Sequence, residues 1–191
     1  GKGERYKRVA DGAEYRHPSA LGKSPRPTQN MLAALDDRGL TAYRRDHVGF
    51  VFQFYNLIPS LTARENVEFV MQVQGVPAGE RRQKAVDILE EVGLSGLEDR
   101  RPADMSGGQQ QRVAVARAIV SRPALVLADE PTANLDSKTA DGLMELFREL
   151  NDHHNTTFVI ATHDKRVMSY AKRIVRMLDG RIVEDISQDA A

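Results

Sequence analysis

Apolar and polar positions along this chain fall into runs whose spacing names the elements. Asp37–Arg45 reads as a short helix, and Val48–Gln53 as an apolar strand ending in a glutamine. Thr62 suits the cap of a helix through Val67, Val70 and Met71 that ends near Gly75–Pro77. A second amphipathic helix puts Ala85, Ile88, Leu89 and Val92 on one face and stops at Gly93. A third follows Ser106, with Val113, Ala116, Ile119 and Val120 at helical spacing. Ala124–Ala128 is a continuous apolar run between Pro123 and two acids, the pattern of a parallel strand buried on both faces. Ser137–Leu150 predicts a helix with Leu143, Leu146, Phe147 and Leu150 inward, weakened somewhat by Gly142. Thr157–Thr162 repeats the buried-strand pattern. Arg173–Leu178 and Arg181–Glu184 flank Asp179-Gly180, a type I′ hairpin signal, and Ile186–Ala191 should fray.

The first thirty residues break this order. Val9 and Leu21 are their only large aliphatics, and seven Lys/Arg stand against three Asp/Glu, with prolines at 18, 25 and 27. That composition suits a basic tail without a strand.

Composition narrows the class without choosing within it. At 191 residues, 41% apolar and 28% charged, the chain can bury one real core. A net charge of zero gives no global pull toward nucleic acid, and the absence of cysteine leaves no disulfide framework. No apolar run is long enough to span a bilayer, so a link to a membrane would come through a partner. Met71 and Met105 read as packing residues, and His153 and His154 as solvated side chains at a polar helix end.

Three stretches carry candidate chemistry. Ser106-Gly107-Gly108 opens a helix, whose free N–H groups and dipole favour phosphate while glycines allow close approach; alone, the tripeptide also fits an ordinary capped helix. Asp129-Glu130 ends the apolar strand, where open α/β sheets bind ligands. An Asp there suits Mg²⁺ and a neighbouring Glu suits an attacking water; alone, the pair also fits solvated acids. His17–Ser24 holds the second half of a P-loop pattern in Gly22, Lys23 and Ser24, with His17 where the first glycine belongs and no apolar strand ahead.

Together and in this order, these stretches resemble the nucleotide-binding subunit of ABC transporters. Met105–Gln109 matches that family's signature motif in all but its first residue, Leu125–Glu130 its Walker B strand, and Asn134-Leu135-Asp136 its D-loop. Val48–Gln53 is similar to the strand leading into the Q-loop, His163 to the switch histidine, and Phe54–Val67 to the branch serving lipoprotein release, macrolide-type export and cell-division complexes. The likeness is continuous from about Leu35 to the end. It departs from the family in residues 1–34, a degenerate segment with a P-loop remnant, where the family's N-terminal strands and adenine-stacking aromatic are expected to be missing; neither Tyr6 nor Tyr15 matches that aromatic.

The resemblance implies an α/β fold: a P-loop NTPase-like, mostly parallel sheet with flanking helices and a helical subdomain inserted over about 57–112. It implies ATP and Mg²⁺ as cofactors. Lys23 would neutralise phosphate charge beside Gly22, with Ser24, Gln53 and Asp129 at the metal. Glu130 would be the general base, with His163 and Gln53 holding the attacking water. Ser106, Gly107, Gly108, Gln109 and Asp136 would serve an ATP site shared with a second subunit arranged head to tail. A transmembrane permease would be the other partner, nucleic acid would not, and the chain would sit on the cytoplasmic face of the membrane. The alternative is a non-hydrolysing subunit that only lends its signature to a partner's site. A relative acting in DNA repair would bring coiled coils or zinc modules, for which there is no long heptad run and no cysteine.

Overall fold

The computed structural model describes residue 32 and residues 34–188. The P-loop remnant Gly22, Lys23 and Ser24, with His17, Tyr6 and Tyr15, lies outside the described residues. Helix α1 (Asp37–His47) leads into strand β1 (Val48–Val51). Helices α2 (Ala63–Val73), α3 (Ala78–Glu91) and α4 (Gly107–Ile119) separate it from β2 (Leu125–Asp129). Helix α5 (Ser137–His154) connects to β3 (Thr157–Ala161), and α6 (Lys165–Ser169) to the hairpin β4 (Arg173–Leu178) and β5 (Arg181–Ser187). The three first strands form one parallel sheet in the order β1-β2-β3, so each connection is a helical crossover.

Register sets which side chains meet the helices. Gly49, Val126 and Phe158 lie in one row, and Val51, Ala128 and Ile160 in the next row on the same face. Helix α4 packs so close to this face that a Cβ on Gly49 would strike the carbonyl oxygen of Ala118. Helix α5 lays Phe147 on Phe158, with ring centroids 4.9 Å apart. The opposite row, Phe50, Leu127 and Val159, is only half covered, and Val159 is 52% exposed. The expectation of strands buried on both faces is therefore corrected: among the described residues, α4 and α5 cover the same side.

Most helices follow their apolar spacing. Val67, Met71, Ala85, Ile88, Leu89, Val92, Met105 and Val113 form a continuous buried layer. Thr62 caps α2 through a reciprocal box with Glu65, and Leu143, Leu146, Phe147 and Leu150 of α5 are buried as expected. Arg112 donates to the backbone carbonyl of Gly142 at 3.4 Å.

Element ends are where the structure departs. β1 stops at Val51 because the chain turns at Gln53, and β3 stops at Ala161 because Thr162 turns to bond Glu130. The hairpin turn has φ +48° at Asp179 and +74° at Gly180, as a type I′ turn requires. The expected fraying at Ile186 is not seen. Ile186 and Ser187 pair with Ile174 and Arg173, and the guanidinium of Arg173 grips Asp185 at 2.8 and 2.5 Å. His154 is also not a solvated side chain. Its Nε2 lies 2.7 Å from Glu91 Oε1, tying the end of α5 to the end of α3.

Candidate functional site

Parallel register brings the candidate residues to one edge. Val51, Ala128 and Ile160 are aligned, so Gln53, Asp129-Glu130 and Thr162-His163 all leave the sheet at its C-terminal side, where open α/β sheets bind ligands. Asp129 is the last residue of β2 and is exposed, and Gln53 is half-buried two residues beyond β1.

Glu130 is the best-held side chain of this edge. Its backbone is left-handed, with φ +43°, and its N–H donates to Ala161 O at 2.9 Å. This kink swings the carboxylate toward the residues after β3. Thr162 donates its hydroxyl to Oε2 at 3.1 Å, and the His163 N–H donates to Oε1 at 3.1 Å. The His163 ring places Nδ1 2.6 Å from the same Oε1. A carboxylate only accepts, so Nδ1 carries the proton in this contact. The hydrogen bond to Glu130, then its charge, raises the His163 pKa above the ordinary imidazole value.

The loops after β1 and β2 are tied to each other. Asn134 donates its side-chain amide to Gln53 O at 3.0 Å. Gln111 of α4, fully buried, donates to Pro131 O at 2.8 Å and so fixes the residue that follows Glu130. Asp136 accepts from Thr139 N at 3.1 Å and from the Thr139 hydroxyl at 2.6 Å, which makes it the N-cap of α5 and lowers its pKa.

The glycine pair sits at the start of α4 inside a capping box. Ser106 Oγ accepts from Gln109 N at 3.3 Å, and Gln109 Oε1 accepts from Ser106 N at 2.9 Å. Both side chains thus serve their own helix start. A Cβ on Gly107 would come 2.9 Å from Tyr55 Oη, and one on Gly108 would come 2.5 Å from Thr139 Cγ2. These glycines permit close packing within the chain.

Asp129 and Gln53 each bring an oxygen donor to this edge from neighbouring strand ends, and no cluster of three His, Cys, Asp or Glu forms a closed metal cage among the described residues. That donor set fits Mg²⁺, which takes one or two protein oxygens and completes its shell with water and phosphate. The sequence puts Gln53, Asp129, Glu130 and His163 at strand ends, and the structure brings those ends to one edge. Sequence reasoning missed Thr162, Gln111 and Arg117, the last of which donates to the carbonyls of Tyr55 and Asn56. A hydroxyl directly before His163 was the available signal for Thr162; the other two depend on contacts across the fold.

A parallel sheet with paired acids at a strand end, a histidine just after the next strand and a glycine-opened helix is the arrangement of a nucleotide-binding type of fold. A family model described as "ABC transporter" matches residues 22–133. The lipoprotein-releasing system ATP-binding protein LolD of Geobacter metallireducens is 42% identical over 172 residues, covering 86% of this chain and 76% of that protein. The macrolide export ATP-binding/permease protein MacB of Rhodopirellula baltica is 44% identical over 180 residues, covering 90% of this chain and 26% of that much longer protein. The dimeric post-hydrolysis structure of the ATP-binding cassette MJ0796, bound to ADP and Pi, superposes with a TM-score of 0.71 at 42% identity. It covers 82% of this chain and 69% of that one; the same cassette is known from Methanocaldococcus jannaschii. The chain belongs to the ABC transporter family and carries its ATP-binding domain.

Proposed function

We propose that this chain hydrolyses ATP to power export or lipoprotein release through a transmembrane permease. The observation that carries the reading is Glu130, turned out of the Walker B strand by a left-handed backbone and held by Thr162 and His163 beside Asp129. Phosphoryl transfer asks the protein mainly for positioning and charge stabilisation. Glu130 accepts the proton of the water that attacks the γ-phosphorus, ADP leaves, and His163 orients Glu130 and the γ-phosphate. Lys23 beside Gly22 neutralises phosphate charge. Ser24, Gln53 and Asp129 would hold Mg²⁺, which would supply charge neutralisation at the phosphates. Ser106, Gly107, Gly108, Gln109 and Asp136 face the ATP site of a second subunit.

Residues 57–112 form the helical subdomain in this reading. An apolar groove of about 480 Å³ between β1 and α2, lined by Phe50, Phe52, Phe69 and Val73, is the surface offered to the permease. No helix among the described residues is long and apolar enough to cross a membrane. In this reading the permease holds the chain at the cytoplasmic face.

A second reading, a subunit that lends its signature without hydrolysing ATP at its own P-loop, rests on His17 at the position of the first P-loop glycine. MgATP binding and turnover by the purified chain, with Lys23→Ala as control, separate the two. Binding and turnover that are lost in Lys23→Ala support hydrolysis. No binding by the unaltered chain leaves the signature-donor reading.

A further inference from the structure

The turn after β1 contains two consecutive non-glycine residues in the left-handed region, Tyr55 at φ +61° and Asn56 at φ +49°. Asn tolerates this conformation locally, but a bulky residue such as Tyr55 rarely adopts it without support from its surroundings. Here Arg117 gives that support. It reaches back from α4 and donates Nη1 to Asn56 O at 2.6 Å and Nη2 to Tyr55 O at 2.8 Å. Among the described residues no carboxylate pairs with this guanidinium, and burial lowers its pKa. Its planar fork of donors suits two adjacent carbonyls, and a lysine ammonium has no such fork.

Tyr55 then lies along α4. Its carbonyl is held by Arg117, while its hydroxyl packs on Gly107, ten positions earlier in the same helix. Ten residues of helix span about 15 Å, so the turn touches α4 both at its start and near its end. We propose that Arg117 is a positioning residue: it clamps the Tyr55–Asn56 turn so that the Tyr55 ring sets the position of the glycine pair at the start of α4. Arg117 and Asn56 also line the apolar groove, so an occupant of that groove presses on the clamp. The consequence for ATP hydrolysis rests on the function proposed above. The mechanical tie does not, and it is testable without nucleotide.

The test is hydrogen–deuterium exchange of the full chain, comparing residues 52–57 and 105–113 with residues 143–150 of α5 as the folding control. In Arg117→Met, which keeps bulk and removes the fork, exchange rises at least tenfold in both segments while the control holds, and Arg117→Lys falls between. Faster exchange in 52–57 alone overturns the proposal, as does a uniform rise that includes α5. A second pair guards against a variant that fails to fold. Gly107→Ala introduces a Cβ against Tyr55 Oη, and Tyr55→Phe removes that oxygen. The double variant restores the exchange of 52–57 that Gly107→Ala raises. If Tyr55→Phe gives no rescue, the ring is not the strut and the proposal fails.

Discussion

His163 Nδ1 and Glu130 Oε1 stand 2.6 Å apart, each just past the C-terminal end of one of two neighbouring parallel strands. The hydrogen bond and then the charge of Glu130 raise the His163 pKa. The sign of the linkage follows. The pair's contribution to stability is complete below the ordinary imidazole value of about 6.5 and is lost as pH rises through the raised folded value. NMR titration of the His163 ring should therefore give a pKa above the ordinary value in the unaltered chain and a value closer to it in Glu130→Gln. An identical titration in the two proteins would mean that the contact does not form in solution.

Glu130→Gln keeps the shape of the side chain and removes the base. Under the proposed function, turnover falls by about 10²- to 10⁴-fold, the usual worth of a positioned general base. Binding of MgATP persists, and the chain accumulates as an ATP-bound dimer visible by light scattering. A variant that stays monomeric at saturating MgATP counts against the head-to-tail arrangement.

Local pattern carried much of this structure. The caps at Thr62 and Ser106, the inward face of α5 and the Asp179-Gly180 turn are written within a few residues of where they act, because capping and amphipathic spacing are local physics. The edge residues Gln53, Asp129, Glu130 and His163 were legible because each ends a strand-like run. What escaped depends on contacts distant in sequence. Arg117 reaches a turn 62 positions earlier, and Gln111 reaches Pro131 from the helix before β2. Nothing local distinguishes either from a solvated helix residue. The half-open face of Phe50 and Val159 was equally hidden, since an apolar run states that a strand wants burial without stating what covers it.

Asn66 gives a stability prediction of this long-range kind. It is fully buried in α2, and its side chain accepts from Ile58 N at 2.8 Å. It also donates to the carbonyls of Ile58, Leu61 and Thr62 at 3.1, 3.2 and 2.9 Å. One amide thus closes the loop that follows the Tyr55–Asn56 turn. Removing it strands buried backbone groups, each at a cost of about 1–3 kcal/mol. Asn66→Ala should lower unfolding free energy by about 2–4 kcal/mol in urea, on the same footing. Asn66→Asp should cost more, because a carboxylate cannot donate to carbonyls. A loss below about 0.5 kcal/mol, the range of ordinary surface substitutions, would show that the loop is held by other contacts.

Gly108 and Thr139 allow the sharpest separation of packing from chemistry. A Cβ on Gly108 would lie 2.5 Å from Thr139 Cγ2, closer than real Cβ contacts allow. Thr139 cannot readily move away, because its hydroxyl and its N–H are both bonded to Asp136. Gly108→Ala should therefore destabilise the chain by about 1–3 kcal/mol through overpacking. Thr139→Ser removes only the clashing methyl and keeps the hydroxyl for Asp136. In the double variant the loss should be mostly recovered, with a coupling of at least about 0.5 kcal/mol between the two sites. If stability returns but the ATP-dependent dimer does not, Gly108 also serves the partner's nucleotide. If both return together, its lack of a side chain answers to Thr139 alone.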